Sequence, residues 1–247
     1  MKSLLKPSDL RFVALCGGLL TYIARMLLLI SALGNEDTAL LPLGTWPDLL
    51  SWGLIAVTMG LLIIGSRSLE GNVRYSRQFR NALFATIGMA IAAICFCITS
   101  ILELFSETDM VSLISACLGF LAAATLGYLA WARLRGKQLN MLFHGVVCLY
   151  LMLHLVSHYR LWSSCPQLQS YAFELLAIVF VMLACYHRAA ADAGHGTCRA
   201  YTFFSLAAVY FCIAALPGCD NPVFFISCAL WMFFTPCHLP SIARKEA

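Results

Sequence analysis

The sequence predicts an all-α, polytopic helical membrane protein: eight transmembrane helices in a single transmembrane domain over residues 1–247. Three observations predict it. The chain is 61% hydrophobic and 11% charged, with a mean hydropathy of +0.83, whereas a soluble domain carries roughly a quarter charged residues. The apolar residues gather in runs of about 20, the length of helix that crosses the hydrocarbon core. The charges fall in short clusters between those runs. In lipid such runs must be helical, because their backbone groups have no water to bond.

The first run, 10–32, follows Lys2, Lys6 and Arg11 and contains Arg25, so it is too long and too polar for a signal-peptide core. The next four runs are 46–64, 82–105, 110–132 and 141–159. The sixth, seventh and eighth are placed at 167–185, 200–216 and 222–237. Two starts share a pattern: Thr45, Pro47 and Asp48 in one, Ser164, Pro166 and Gln167 in the other. Each sets a hydroxyl cap, a proline whose missing N–H costs nothing, and a side chain that can complete a capping box. Asn221 before Pro222 marks the eighth start in the same way.

Eight spans put both termini on one side. Lys2, Lys6, Arg11, Arg67, Arg74, Arg77, Arg80, Arg133, Arg135, Lys137, Arg188, Arg199, Arg244 and Lys245 fall on that side. The opposite connections carry Glu36, Asp37, Glu107, Asp109 and Asp220, with Arg160 as their only cation. The positive-inside rule makes the basic side cytoplasmic, for a multi-pass protein of the cell membrane, and Trp46, Trp131 and Trp162 suit interfacial anchors. The net charge of +4 is sorted by side, with no basic run interleaved with aromatics, so no nucleic-acid partner is expected. Most of the 12 cysteines lie inside apolar runs, where a thiol acts as a small hydrophobe. Cys165 and Cys219 fall in outer connections, where a disulfide and two free thiols both stay open.

Arg80 and Phe84 match Arg199 and Phe203, and 111–118 matches 223–230, in corresponding spans. A four-plus-four parallel repeat with halves 1–135 and 136–247 is one expectation, chance apolar similarity the other. Parallel repeats are known in transporters, which hold their sites between halves.

Ionisable residues inside spans are costly and point to function by default. Arg25 lies about two helical turns from the outer end of its span. Glu174 is expected seven residues into the sixth span, counted from Gln167, which is about 10 Å at ~1.5 Å per residue. His154 falls at similar depth, with His158 one turn nearer the surface. Helical spacing extends these into stripes of Thr21, Tyr22 and Arg25; Tyr150, His154 and His158; and Gln167, Ser170, Tyr171 and Glu174. Glu103 joins the rim. The expected substrate-binding set is therefore Tyr22, Arg25, Glu103, Tyr150, His154, His158, Tyr171 and Glu174. Arg25 and Glu174 form a charge pair in it, and His154 is a titratable neighbour. The plainer alternative is a buried pair that only fixes helix packing.

His154-x-x-x-His158, with Glu174 or Glu103 as third ligand, is a weaker, metal-binding alternative. At that point alone the chain resembles the seven-span intramembrane zinc hydrolases. That family's Ser-x-x-x-His and Asp find no match here, because His144, His187, His195 and His238 all lie toward the cytoplasmic side. Two histidines on one helix also cannot sandwich a haem, and no cofactor is expected. His187, Asp192, His195 and Cys198 fit no zinc template and read as a solvated loop. Ser115, Gly119, Ala123 and Gly127 form a small-residue ladder that allows a close crossing, within the chain, in a homodimer or with a membrane-protein partner. No phosphate loop, catalytic triad or nucleotide fingerprint occurs.

The functional expectation is a non-enzymatic permease for a small molecule or ion, or the membrane subunit of a transporter, with its polar site in the outer half of the bilayer. A non-catalytic membrane partner or sensor, and a metal-dependent intramembrane hydrolase, are the alternatives.

Overall fold

The structure is a computed structural model that describes residues 7–33, 44–67, 83–106, 110–135, 141–162, 171–193, 195 and 197–234. Among these residues the fold is wholly helical: α1 (Pro7–Leu33), α2 (Trp46–Arg67), α3 (Leu83–Ser106), α4 (Met110–Leu134), α5 (Met141–Trp162), α6 (Ala172–Asp192), α7 (Cys198–Ala215) and α8 (Pro222–Phe234). Six of them, α1 to α6, are long and apolar enough to cross a membrane, and α7 and α8 are shorter apolar helices. Large apolar side chains such as Phe12, Ile30, Val57, Ile64, Phe84 and Ile94 face outward. That surface suits acyl chains and would be a liability in water.

Helix starts follow local chemistry. At α2 the Asp48 carboxylate accepts from the Gly44 amide at 3.0 Å and from Trp52 Nε1 at 3.1 Å. Asp48 thus reaches back to the turn as a capping box does, closing on Gly44, and the helix begins at Trp46 as expected. Asn221 accepts from the Phe224 amide at 3.3 Å and so caps α8. Gly218, with φ +78°, makes the turn between α7 and α8 that an L side chain would resist. The sixth helix departs from expectation. It begins at Ala172, with Tyr171 as N-cap, and continues to Asp192, and the expected start at Ser164 to Gln167 lies outside the described residues.

Helix α7 is the hub. It packs against α1, α2, α6 and α8, and residues 205–212 are all buried. Tyr210 and Thr21 share a hydrogen bond at 2.7 Å, and Arg25 donates to the Ala214 carbonyl at 2.7 Å. One turn forward on α1 meets one turn forward on α7, so the two run parallel. Gly17 and Gly18 allow the approach: a Cβ on Gly17 would strike Thr58 of α2, and one on Gly18 would lie 3.2 Å from the Tyr210 carbonyl. The second group pairs α3 with α4 and α8, and α4 with α5. The close α1–α7 and α3–α8 pairings have no counterparts of similar extent in α3–α5 and α4–α7. The helix neighbours therefore lend the four-plus-four repeat no support.

The ladder on α4 serves a crossing inside the chain. Ser115, Gly119 and Ala123 are buried, and a Cβ on Gly119 would strike Ser100 of α3 and lie 2.9 Å from Tyr150 of α5. Gly127 has open space instead. Gly119→Ala is expected to destabilise by about 1–3 kcal/mol through overpacking. Gly127→Ala is expected to be neutral or stabilising by about 0.5–1 kcal/mol, since alanine is the better helix former. Unfolding of both variants in detergent checks the contrast, and equal effects would contradict this packing.

Candidate functional site

At one end of the bundle α1, α3, α5 and α7 finish and α6 begins. Three antiparallel or neighbouring helices there place polar residues in register. Glu103 stands one turn beyond Ser100 on α3, Ser115 one turn before Gly119 on α4, and His154 one turn beyond Tyr150 on α5. Because Gly119 abuts both Ser100 and Tyr150, Glu103, Ser115 and His154 form the next layer outward. His154 is 1% exposed, and its Nδ1 lies 3.0 Å from Glu103 Oε1. That is ion-pair distance, yet the ring is not aligned for a hydrogen bond. His158 stacks one turn further out, 4.1 Å between ring centroids, and its Nδ1 donates to the His154 carbonyl at 3.0 Å.

Aromatic rings wall this layer. Phe224, on the first turn of α8, lies 4.3 Å from the His154 ring and 5.5 Å from Phe96. Tyr150 is fully buried, 5.3 Å from Phe96. The Thr99 and Ser100 hydroxyls neighbour its phenol, and both donate to the Phe96 carbonyl. Both Glu103 oxygens, the Ser115 hydroxyl, the Tyr150 hydroxyl and His154 Nδ1 are thus buried without a hydrogen-bond partner among the described residues. Native interiors match the large majority of such groups, so several in one layer call for an explanation.

Arg25 and Glu174 lie at the same end in a different place, between α1, α6 and α7. Arg25 is 8% exposed, bonded to Ala214 and held over the Phe173 ring at 4.4 Å. Glu174 is 2% exposed and feels the charges of Arg25 and Asp220. It sits in the first turn of α6, not seven residues deep, because that helix starts later than its proline pattern suggested. There the partial positive charge of the helix start favours a carboxylate. The eight expected residues therefore divide. Arg25 and Glu174 form one group and Glu103, Tyr150, His154 and His158 another, while Tyr22 is half-buried on α1 and Tyr171 packs at the start of α6. The metal alternative took Glu174 or Glu103 as third ligand to His154 and His158: Glu174 lies apart from the two histidines, whereas Glu103 lies beside them. Among the described residues no three His, Cys, Asp or Glu side chains gather at metal-binding distance. Cys219 carries a free thiol that donates to the Leu216 carbonyl, and Cys165 lies outside the described residues.

The opposite end holds a buried charge cluster built on Asp192, one of the four residues expected in a solvated loop; another of them, Cys198, opens α7. His187 and Asp192 belong to α6. The Asp192 carboxylate accepts from Arg133 Nη2 at 2.9 and 3.1 Å and from His144 Nε2 at 2.8 Å. Arg133 and Arg188 are each 2% exposed, and Arg188 donates to Tyr201 Oη at 3.2 Å and to Met89 Sδ at 3.4 Å. His195 remains exposed, as a loop residue should. The signal for this cluster was present as Arg133, His144 and Asp192 near the ends of three runs, but nothing local pairs them.

No protein-family model, curated protein or solved structure matches the chain. Geometry alone therefore carries the functional reading. Asp192→Asn removes the carboxylate that α4 and α5 both bind, and is expected to cost about 3–5 kcal/mol, the usual effect of breaking a buried pair. Adding Arg133→Met should recover part of that loss. A double-mutant cycle on unfolding in detergent checks the coupling, and additive losses would deny it.

Proposed function

We propose that the protein is a permease for a small molecule or ion, or the membrane subunit of a transport system, with its polar site at the Glu103–His154 layer. In this reading all eight helices cross the bilayer, the termini are cytoplasmic and the layer lies in the outer half. The positive-inside pattern supports that orientation. One observation carries the functional part: ionisable side chains of two helices meet at 3.0 Å inside the bundle, beside polar atoms with no described protein partner. A packing device gains nothing from unmatched acceptors, whereas a solute or proton pathway needs groups that exchange partners.

Arg25 and Glu174 take a supporting part in this reading. The guanidinium is already engaged by the Ala214 carbonyl and the Phe173 face, so it ties α1 to α6 and α7. It does not wait for an anionic solute. The Arg133–Asp192–His144 cluster fastens α4, α5 and α6 at the other end in the same way.

Proteoliposomes enclosing a pH-sensitive dye test the proposal. Wild-type vesicles are expected to change internal pH faster than protein-free vesicles under an imposed proton or ammonium gradient. Glu103→Gln should slow that flux by roughly tenfold, about 1.4 kcal/mol on the barrier, while circular dichroism stays unchanged. Wild-type flux no faster than that of empty vesicles for protons, ammonium, alkali cations and chloride would overturn the reading.

A further inference from the structure

We propose that the layer between Glu103, Ser115, Tyr150 and His154 binds a small monovalent cation that donates hydrogen bonds, of the ammonium or primary-amine class. This rests on the transport reading in taking the layer as a solute site, and it adds the solute's chemistry. The Glu103 carboxylate is the formal negative charge here, and the charged or titratable side chains that Tyr150 and His158 feel as neighbours include no Lys or Arg. An anion would meet that carboxylate with nothing described to offset it.

The unmatched atoms are acceptors or can act as acceptors: two carboxylate oxygens, two hydroxyls and an imidazole nitrogen. An ammonium group has a hydrogen for each of several of them. The imidazole nitrogen among them suits an N–H donor better than a bare alkali cation, which takes oxygen ligands. The walls agree. Phe224 and Tyr150 set their rings against His154, with Phe96 packed behind both, and aromatic faces attract a poorly hydrated cation. The backbone agrees as well, because Glu103 lies in the last turn of α3, where the helix end adds partial negative charge. Phe224 is held in place by the Asn221 cap of its own helix, so the lid over His154 is built into the start of α8.

Ligand binding to the folded state raises thermal stability, so purified protein in detergent is scanned for unfolding with ammonium chloride and with methylammonium chloride. Sodium, potassium and choline chlorides serve as matched salts. A saturable rise in Tm with ammonium and methylammonium, above that of the matched salts, is expected. It should vanish in Glu103→Gln, and Ser115→Ala should weaken the apparent affinity about tenfold, the loss of one charge-assisted hydrogen bond. Ser115→Ala keeps the test open should Glu103→Gln fail to fold.

A response equal for all the salts, a larger response to sodium or potassium, or an ammonium response untouched by either substitution would overturn the inference. The vesicle assay separates the two claims. Ammonium binding without flux leaves this site standing and removes the permease, whereas flux without ammonium binding does the reverse.

Discussion

Inside a hydrocarbon layer an ionisable side chain has no water to turn to, so it must face the protein and meet its partners there. That constraint sets how each helix of this bundle is rotated. Arg25, His154 and Glu174 are buried at one end, and Arg133, His144 and Arg188 at the other. Ile23, Ile30, Leu121, Leu142 and Tyr186, on the same helices, point outward. The apolar residues could have been satisfied in many rotations, because lipid and protein interior are alike to them. The polar ones could not. They select the rotation, and the small residues Gly17, Gly18 and Gly119 then let the selected faces come close.

Much of this could be read from the chain. The helices from α1 to α5 begin within a few residues of the expected positions, since long apolar runs bounded by charge admit few alternatives. The Asp48 and Asn221 starts were legible because capping is local chemistry. So was the inward turn of Arg25, His154 and Glu174, which follows from cost alone. What could not be read was which of them meet. Depth along a span is a property of one helix, whereas adjacency depends on how the helices are ordered around one another. His154 found Glu103 and Phe224, and Arg25 found Ala214 and Phe173, so groups at one end became two separate places.

The loop assigned around Asp192 failed for a related reason. A window that ends at the first charged residue stops α6 near Cys185, yet the helix runs on to Asp192. Arg188 and Asp192 continue it because Tyr201, Arg133 and His144, distant in sequence, accept or supply their hydrogen bonds. Tertiary partners can make a charged turn cheaper as buried helix than as solvated loop, and no local reading supplies those partners.

The two glutamates at one end show how position on a helix separates a strut from a site. Glu174 stands in the first turn of α6, where free backbone N–H groups favour its charge, with Arg25 close by. Burial and the charge of Asp220 oppose its ionised form, and the helix start and Arg25 offset them in part. Glu103 stands in the last turn of α3, where exposed carbonyl groups oppose its charge. The imidazole beside it lies at contact distance without completing a hydrogen bond. Two acids of the same type, at the same end of the same bundle, therefore differ in what lies beside them. The one at the helix start has a guanidinium and a second carboxylate among its neighbours, and the one at the helix end has an imidazole.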